Sequence, residues 1–152
     1  MTQQYRIKET RVIESRELGD GTTIRRRRET LDGKHRFTTY ERIEKPNLAI
    51  VKKDGSRELF DRNKLFGAIH RSVGKFLSSD LEVEEIVSHA EEALYAEGES
   101  EVPSKMVGDL VLEELLRRNE VAYVRFASVY QEFKTVDEFK KALQKVEEQH
   151  QQ

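Results

Sequence analysis

The first 46 residues alternate polar residues with β-branched or aromatic ones in three short stretches. These stretches cover residues 10–17, 22–29 and 36–43, and the turn sequences at 18–21 and 32–33 separate them. Because a period of two is typical of strands and Asp-Gly pairs are typical of turns, the pattern predicts a three-stranded antiparallel meander. The candidates for its core are Val12, Ile13, Ile24, Phe37 and Tyr40.

The rest of the chain changes to a helical period after a short hairpin. Apolar residues recur every three or four positions, which predicts helices over 61–77, 80–97, 103–118, 121–133 and 136–148. Asp61 and Thr135 are predicted N-caps, and Pro103 is predicted in the first turn of its helix. A short strand is expected at 100–102. The predicted core positions of the second and third helices are Val83, Ile86, Val87, Ala90, Leu94, Met106, Val107, Leu110, Val111 and Leu115.

Charge divides the chain at Pro46 and Asn47. Residues 1–46 hold twelve Lys or Arg against eight Asp or Glu, a net of +4, whereas the remainder holds fifteen against twenty-one, a net of −6. The pattern thus predicts a basic β head on an acidic, mostly helical body, which is an α+β protein. The absence of cysteine excludes disulfides and thiol chemistry. No apolar run approaches a membrane span and no signal peptide is recognisable, so we expect a cytoplasmic protein with no membrane partner.

A cluster of charged residues surrounds the predicted hairpin of the body. Asp54-Gly55 is a hairpin dipeptide that would place Lys52 and Lys53 on one strand and Glu58 on the next, with Lys64 on the following helix. Ammonium groups beside a carboxylate suit a nucleotide, since the amines can bind phosphates and the carboxylate can bind ribose or base. A solvated basic hairpin explains the same spacing.

An arginine quartet occupies the second predicted strand of the head. Successive strand residues face opposite sides, so two of the side chains at Arg25, Arg26, Arg27 and Arg28 point each way. The guanidinium fork binds phosphate oxygens or a guanine edge, and Arg11, Arg16 and Arg36 could extend the patch over the neighbouring strands. The alternative is a solvated strand paired with Glu14, Glu17 and Glu29.

Five further motifs accompany the hairpin, in order: TRVIESR at 10–16, IRRRRE at 24–29, RFTTYER at 36–42, EVPSK at 101–105 and VAYVRFASVY at 121–130. Together they resemble the NrdR family, the bacterial transcriptional repressors of ribonucleotide reductase genes. The resemblance implies a zinc-ribbon head and an ATP-cone that binds ATP or dATP. It assigns Val51, Lys52, Lys53, Glu58 and Lys64 to the nucleotide, with Ser104 near the base. Tyr123 and Tyr130 would stack or contact phosphate, or they are core residues.

The zinc site of the family has no counterpart in this sequence. Its two Cys-x-x-Cys pairs would fall near Gln3 and Arg6 and on Thr30 and Gly33. A tetrahedral structural zinc site needs thiolate or imidazole ligands, and the four histidines are scattered along the chain. We therefore expect the family's zinc to be absent, although the resemblance implies it.

The sequence as a whole predicts a nucleotide-controlled repressor that binds double-stranded DNA as a homo-oligomer. Residues 1–46 would form the DNA-binding head, 47–140 the ATP-cone, and 141–152 a helix end and polar tail. The alternative is a nucleotide-sensing oligomerisation module that has lost DNA binding. No nucleophile motif, metal cluster or phosphate-binding glycine loop indicates an enzyme, so ATP or dATP is expected as an effector.

Overall fold

A computed structural model describes residues 5–18 and 21–152 of the chain. The chain forms two compact units, Met1–Pro46 and Asn47–Gln152, which we call the head and the body. The predicted α+β class is confirmed, with a three-stranded sheet in the head and five helices around a small mixed sheet in the body.

The head is an antiparallel meander, as the alternating pattern predicts. Its strands are β1 (Thr10–Leu18), β2 (Thr23–Thr30) and β3 (Arg36–Arg42), in the order β1-β2-β3, and a short 3₁₀ helix at Ile7–Glu9 precedes them. Gly33 takes a left-handed φ of 71° in the turn before β3, which glycine adopts without strain. The predicted turn at 18–21 includes Gly19 and Asp20, which lie outside the described residues.

The predicted apolar core of the head is wrong. Val12 and Ile13 are 40% and 44% exposed, and Ile24, Phe37 and Tyr40 are only partly buried. In the described part of the head, the buried residues are Leu18, Thr23 and Glu29. The physical reason is that one three-stranded sheet has no second layer within its own unit to cover it. Polar contacts between neighbouring strands must therefore contribute much of the stability of the head.

The body surrounds its small sheet with helices. Strand β4 (Ala49–Val51) pairs with β5 (Arg57–Leu59) antiparallel and with β6 (Glu101–Pro103) parallel, giving the order β5-β4-β6. The helices are α1 (Arg62–Val73), α2 (Asp80–Ala96), α3 (Ser104–Arg118), α4 (Glu120–Tyr130) and α5 (Val136–His150). Among the described residues, none of these helices is both long enough and apolar enough to cross a membrane.

Capping side chains mark where α1, α4 and α5 begin. Asp61 accepts hydrogen bonds from the backbone N–H of Asn63 and Lys64, and Thr135 forms a capping box with Glu138, so both predicted N-caps are confirmed. The prediction for Pro103 is wrong, because its ψ of 145° is extended and it ends β6 beside Val51.

The helix ends differ from the predicted bounds. Helix α1 stops at Val73, where a short 3₁₀ helix, Gly74–Phe76, takes over. Helix α4 ends at Tyr130, three residues before the predicted end. Both differences lie in the last turn, where helices commonly tighten or fray.

Two apolar clusters stabilise the body. The larger joins all five helices and includes Ile69, Val83, Ile86, Val87, Val111, Leu115, Phe126, Ala142 and Val146. The smaller lies under the sheet and contains Leu48, Ile50, Leu94 and Val102. The predicted α2 core is buried throughout. In α3, Val111 and Leu115 are buried, whereas Met106, Val107 and Leu110 are partly buried against the smaller cluster.

Candidate nucleotide and DNA-binding sites

A cavity of about 250 Å³ opens in the body between the hairpin, α1, α3 and α4. Its wall is mainly apolar, formed by residues such as Ile50, Phe60, Leu65, Val107, Val111 and Phe126. Polar atoms reach it from Glu58, Asp61, Lys64, Ser104 and Tyr130. An apolar hollow with a few converging polar groups is the usual form of a small-molecule site.

Glu58 joins two of the predicted phosphate-binding lysines at the rim of this cavity. The Nζ atom of Lys64 lies 2.8 and 2.9 Å from the two carboxylate oxygens, and the Nζ atom of Lys52 lies 3.1 Å from one of them. The hydrogen bond from Lys64, and then that from Lys52, lower the pKa of Glu58 below its ordinary value. The structure therefore brings Lys52, Glu58 and Lys64 together as one charged cluster.

Lys52 and Lys53 lie in the turn and not on the strand, so that part of the prediction is wrong. Strand β4 ends at Val51, and β5 begins at Arg57. The five residues between them are held by a hydrogen bond of 2.8 Å from the backbone N–H of Lys52 to the carbonyl of Ser56. Asp54 tightens the turn by accepting from the Ser56 N–H and hydroxyl. Lys53 is exposed, and no described carboxylate pairs with it.

The two tyrosines of α4 have different environments. Tyr123 is 4% exposed within the larger apolar cluster and does not line the cavity, so the core alternative holds for it in this structure. Tyr130 does line the cavity, and its hydroxyl donates a hydrogen bond of 3.0 Å to the backbone carbonyl of Lys105. Burial raises the pKa of the Tyr130 phenol.

Gly108 is a cavity residue that the sequence reasoning missed. A Cβ atom built at this position would lie 1.9 Å from Cζ of Tyr130, so the tyrosine ring can cross α3 only because residue 108 has no side chain. The signal was present, because a glycine inside a helix costs about 0.5–1 kcal/mol relative to alanine and often marks a close approach. Ser104 stands one turn earlier, as the first residue of α3.

The head sheet separates its arginines into two unlike faces. In the ladder, Arg25 lies opposite Arg16, Arg27 opposite Glu14, and Glu29 opposite both Arg11 and Arg36. Directly opposed residues share a face, and alternation along β2 places Arg25, Arg27 and Glu29 on the same side. We call this side the arginine face. It carries Arg11, Arg16, Arg25, Arg27, Arg36 and Arg42 with Glu14 and Glu29.

The opposite face is electrically balanced. It carries Arg26 and Arg28 together with Glu17 and Glu41. Arg26 pairs with Glu41 at 3.1 Å, and Arg28 donates to the hydroxyls of Thr39 and Thr10 at 3.3 and 3.0 Å. The seven predicted DNA-binding arginines therefore do not form one patch, since the structure brings five to one face and two to the other.

A buried carboxylate organises one end of the arginine face. Glu29 is 5% exposed and lies between Arg11, at 2.6 Å, and Arg36, at 2.9 Å. The hydrogen bond from Arg11 is the main cause that lowers the pKa of Glu29, followed by the bond from Arg36. Arg25 and Arg16 are paired more loosely with Glu14, at 4.0 and 3.8 Å, and the Arg27 guanidinium donates to the Thr38 hydroxyl, at 3.0 Å.

The residues at the family's zinc positions do not suit zinc. Thr30 is the last residue of β2, Gly33 lies in the turn that follows, Arg6 precedes the 3₁₀ helix, and Gln3 is outside the described residues. Structural zinc is bound by thiolate and imidazole groups, and the three described residues offer a hydroxyl, a guanidinium or no side chain at all. Elsewhere in the described ranges, no cluster of three or more His, Asp or Glu residues has a metal-binding arrangement.

Comparison with known proteins matches both units of the chain to described families. Residues 48–136 match the model of the ATP cone domain, and residues 6–41 match that of the transcriptional repressor NrdR-like N-terminal domain, a zinc-ribbon family. The chain is 48% identical over 135 residues to the transcriptional repressor NrdR of Streptococcus sanguinis strain SK36, covering 89% of this chain and 86% of that protein. It is 49% identical over 138 residues to the transcriptional repressor NrdR of Petrotoga mobilis, covering 91% and 92%.

Proposed function

Because the chain belongs to the NrdR family of transcriptional repressors, we propose that it represses ribonucleotide reductase genes under the control of an adenine nucleotide. Residues 1–46 bind the operator, residues 47–140 bind the nucleotide, and residues 141–152 end the last helix. The repressor works in the cytoplasm as a homo-oligomer, and the nucleotide is an effector and not a substrate. The observation that carries the proposal is the pairing, in one chain, of a cationic sheet face with a lysine-rimmed cavity.

The cavity supports a nucleotide whose base is buried and whose phosphates remain at the rim. Its apolar wall suits the two faces of a purine, and Ser104 and Tyr130 offer hydroxyls to the ring edge. Lys52 and Lys64 already hold a carboxylate between them, which is the arrangement that a phosphate group would also satisfy. On nucleotide binding the lysines exchange Glu58 for phosphate, and Glu58 turns to the ribose hydroxyls. Lys53, in the same turn, extends the phosphate site.

The arginine face supports DNA binding better than the opposite face. It has six arginines and two glutamates, whereas the opposite face has two arginines and two glutamates. Arg16, Arg25 and Arg27 are the direct contacts in this proposal, because no described carboxylate lies closer to them than 3.8 Å. Arg11 and Arg36 are held by Glu29 yet remain 62% and 61% exposed, so their outer nitrogens can still reach phosphate oxygens.

Several heads must act together for tight operator binding. A single meander offers only a few base contacts, and linked modules gain affinity through effective concentration. A change in oligomeric state caused by ATP or dATP would therefore control repression without altering any single head. This is the link that we propose between the two units.

A second candidate function is a nucleotide-sensing module whose head no longer binds DNA. The observation in its favour is that the described part of the head has no extended apolar core, and that its sequence has no zinc ligands, to hold the arginines in register. The two candidates differ in one measurable property, which is preference for operator sequence.

Fluorescence anisotropy with two labelled duplexes tests the proposal. One duplex carries the promoter of the ribonucleotide reductase genes from the same genome, and the other is a scrambled sequence of equal length. We expect tighter binding to the promoter, changed by ATP or dATP, over a range of salt concentrations. Lys64→Ala should remove about 1.5–3 kcal/mol of phosphate contact and weaken the nucleotide effect, whereas Lys75→Ala, an exposed lysine away from the cavity, should not.

Equal affinity for both duplexes at every salt concentration would contradict the repressor and favour the second candidate. Promoter preference that is insensitive to both nucleotides would contradict the proposed control instead.

A further inference from the structure

The turn at the family's second cysteine pair is closed by hydrogen bonds. The backbone N–H of Thr30 donates to the carbonyl of His35 at 3.0 Å, and the N–H of His35 donates to the Thr30 hydroxyl at 3.1 Å. The same hydroxyl donates a hydrogen bond of 2.5 Å to the carboxylate of Asp32. This carboxylate also accepts a hydrogen bond of 3.1 Å from the backbone N–H of Lys34. Thr30 therefore bridges both ends of the turn, and Asp32 fixes its middle.

Aromatic and backbone contacts tie this turn to the segment before β1. The ring of Tyr5 stacks on Phe37 with centroids 5.0 Å apart and planes 9° from parallel, and it lies 5.5 Å from the His35 ring. The backbone N–H of Leu31 donates a hydrogen bond of 3.3 Å to the carbonyl of Glu9. The described segment before β1 and the β2–β3 turn are thus joined without cysteine, next to the positions at which the family has its two cysteine pairs.

The Glu29 cluster strengthens the same end of the sheet. Glu29 directly precedes Thr30, and Arg36 directly follows His35, so the Arg11–Glu29–Arg36 pairing spans all three strands next to the turn. A charge buried between two guanidinium groups holds strands in register because separating them would leave it unpaired. Three sets of contacts therefore meet next to Thr30 and Gly33, the positions at which the family has its second cysteine pair.

We propose that this head is a metal-independent form of the NrdR ribbon. The Thr30–Asp32–His35 turn, the Tyr5–Phe37 stack and the Glu29 cluster do the structural work that zinc does in a ribbon with four thiolates. Its folding needs no metal and its fold is indifferent to chelators, to added zinc and to oxidants of thiols, because the chain has no thiol. This inference concerns the folding of the head and stands whether or not the head binds DNA.

Trypsin cleavage of the full-length protein within Arg25–Arg28 reports on folding of the head, since β2 must open before the protease can bind it. The fragments are identified by mass spectrometry, with zinc content measured by elemental analysis of the same sample. We expect no stoichiometric zinc, slow cleavage, and the same rate with chelator or with added zinc. About one zinc per chain, acceleration by chelator or protection by zinc would overturn the proposal. Cleavage of the wild-type protein as fast as that of the denatured chain would also overturn it.

A double variant tests whether the turn does this work. Thr30→Val with Asp32→Ala removes the side-chain hydrogen bonds of the turn, and cleavage within Arg25–Arg28 should rise on the order of tenfold. Asp54→Ala is the matched control, because Asp54 makes the same kind of turn in the body with Ser56. The control should leave cleavage of the head unchanged. If the double variant is cleaved at the wild-type rate, the turn does not replace the metal.

Discussion

At the scale of single residues, the shape of the cavity depends on Gly108 of α3 and Tyr130 of α4. Gly108 leaves space on α3, and Tyr130 of α4 fills it with a ring that stacks on Phe126 at 5.8 Å between centroids. The tyrosine hydroxyl then reaches the carbonyl of Lys105. Tyr130 is therefore a wall of the cavity whose position is set by a missing side chain.

Replacing Gly108 with alanine should displace that wall. The new Cβ cannot coexist with the Tyr130 ring, so the ring must leave its place, and we expect ATP affinity to fall by about tenfold, or about 1.4 kcal/mol. Gly67→Ala is the control, because a Cβ at Gly67 meets only the end of the Arg71 side chain, at 3.0 Å. Calorimetric titration measures both variants. Unchanged affinity in Gly108→Ala would mean that Tyr130 does not shape the proposed nucleotide site.

At the scale of one element, a β-bulge decides which arginines share a face of the sheet. The register between β1 and β2 shifts between Val12 and Glu14, so Ile13 has no partner in the ladder. Strict alternation would place Arg11 and Arg16 on opposite sides, because they are five positions apart. The extra residue returns both to the side of Arg25 and Arg27. The arginine face therefore owes its breadth to a single irregular residue.

Two double variants of β2 with the same net charge separate the faces. Arg25→Ala with Arg27→Ala should weaken promoter binding and flatten its salt dependence by about one unit of slope for each lost phosphate contact. Arg26→Ala with Arg28→Ala removes the same charge from the opposite face and should change the slope little. Anisotropy titrations from low to high salt measure both. A larger effect of the second pair would show that DNA lies on the other face, and no effect of either pair would argue against DNA binding by β2.

At the scale of the whole molecule, the two units are stabilised by different forces. The body buries apolar side chains from all five helices together with one glutamate, Glu114, whereas the described buried residues of the head are Leu18, Thr23 and Glu29. Burial of apolar surface is little affected by pH, but an ion-paired carboxylate stabilises a fold only while it is ionised. Acid removes an ion-paired carboxylate from each unit, since Glu114 of the body also has a lowered pKa. Because the body keeps its apolar clusters, acid should affect the head more.

We expect the head to unfold before the body as the pH is lowered. The pKa of Glu29 is depressed from its ordinary 4.5 by Arg11 and Arg36, so its stabilising effect is complete above 4.5 and is lost as the pH falls through the lower folded value. Trypsin-independent probes suit this range: backbone amide NMR signals of β2 for the head, and far-ultraviolet circular dichroism for the helices. Glu29→Gln should remove much of the pH dependence of the head. Simultaneous loss of both signals in the wild type would contradict the prediction.

The sequence by itself determined the elements, the family and the charge division. Alternation in the head and helical periodicity in the body are local signals, and so are the caps at Asp61 and Thr135, because each depends on neighbours within a few residues. The cluster of Lys52, Glu58 and Lys64 was also predictable, since the hairpin turn brings Lys52 close to Glu58 and helix α1, which carries Lys64, begins soon after Glu58. The absence of the family's zinc-binding cysteines is also visible in the sequence itself.

Only the tertiary structure decided how distant residues meet. The bulge at Ile13 depends on pairing with β2, the burial of Glu29 depends on both neighbouring strands, and the contact of Gly108 with Tyr130 depends on how α3 and α4 pack. Tyr123 and Tyr130 are equivalent on a helix drawn alone, and only the cavity separates them. A sequence pattern fixes the direction of a side chain along its own element, but its surroundings come from elements that the pattern does not contain.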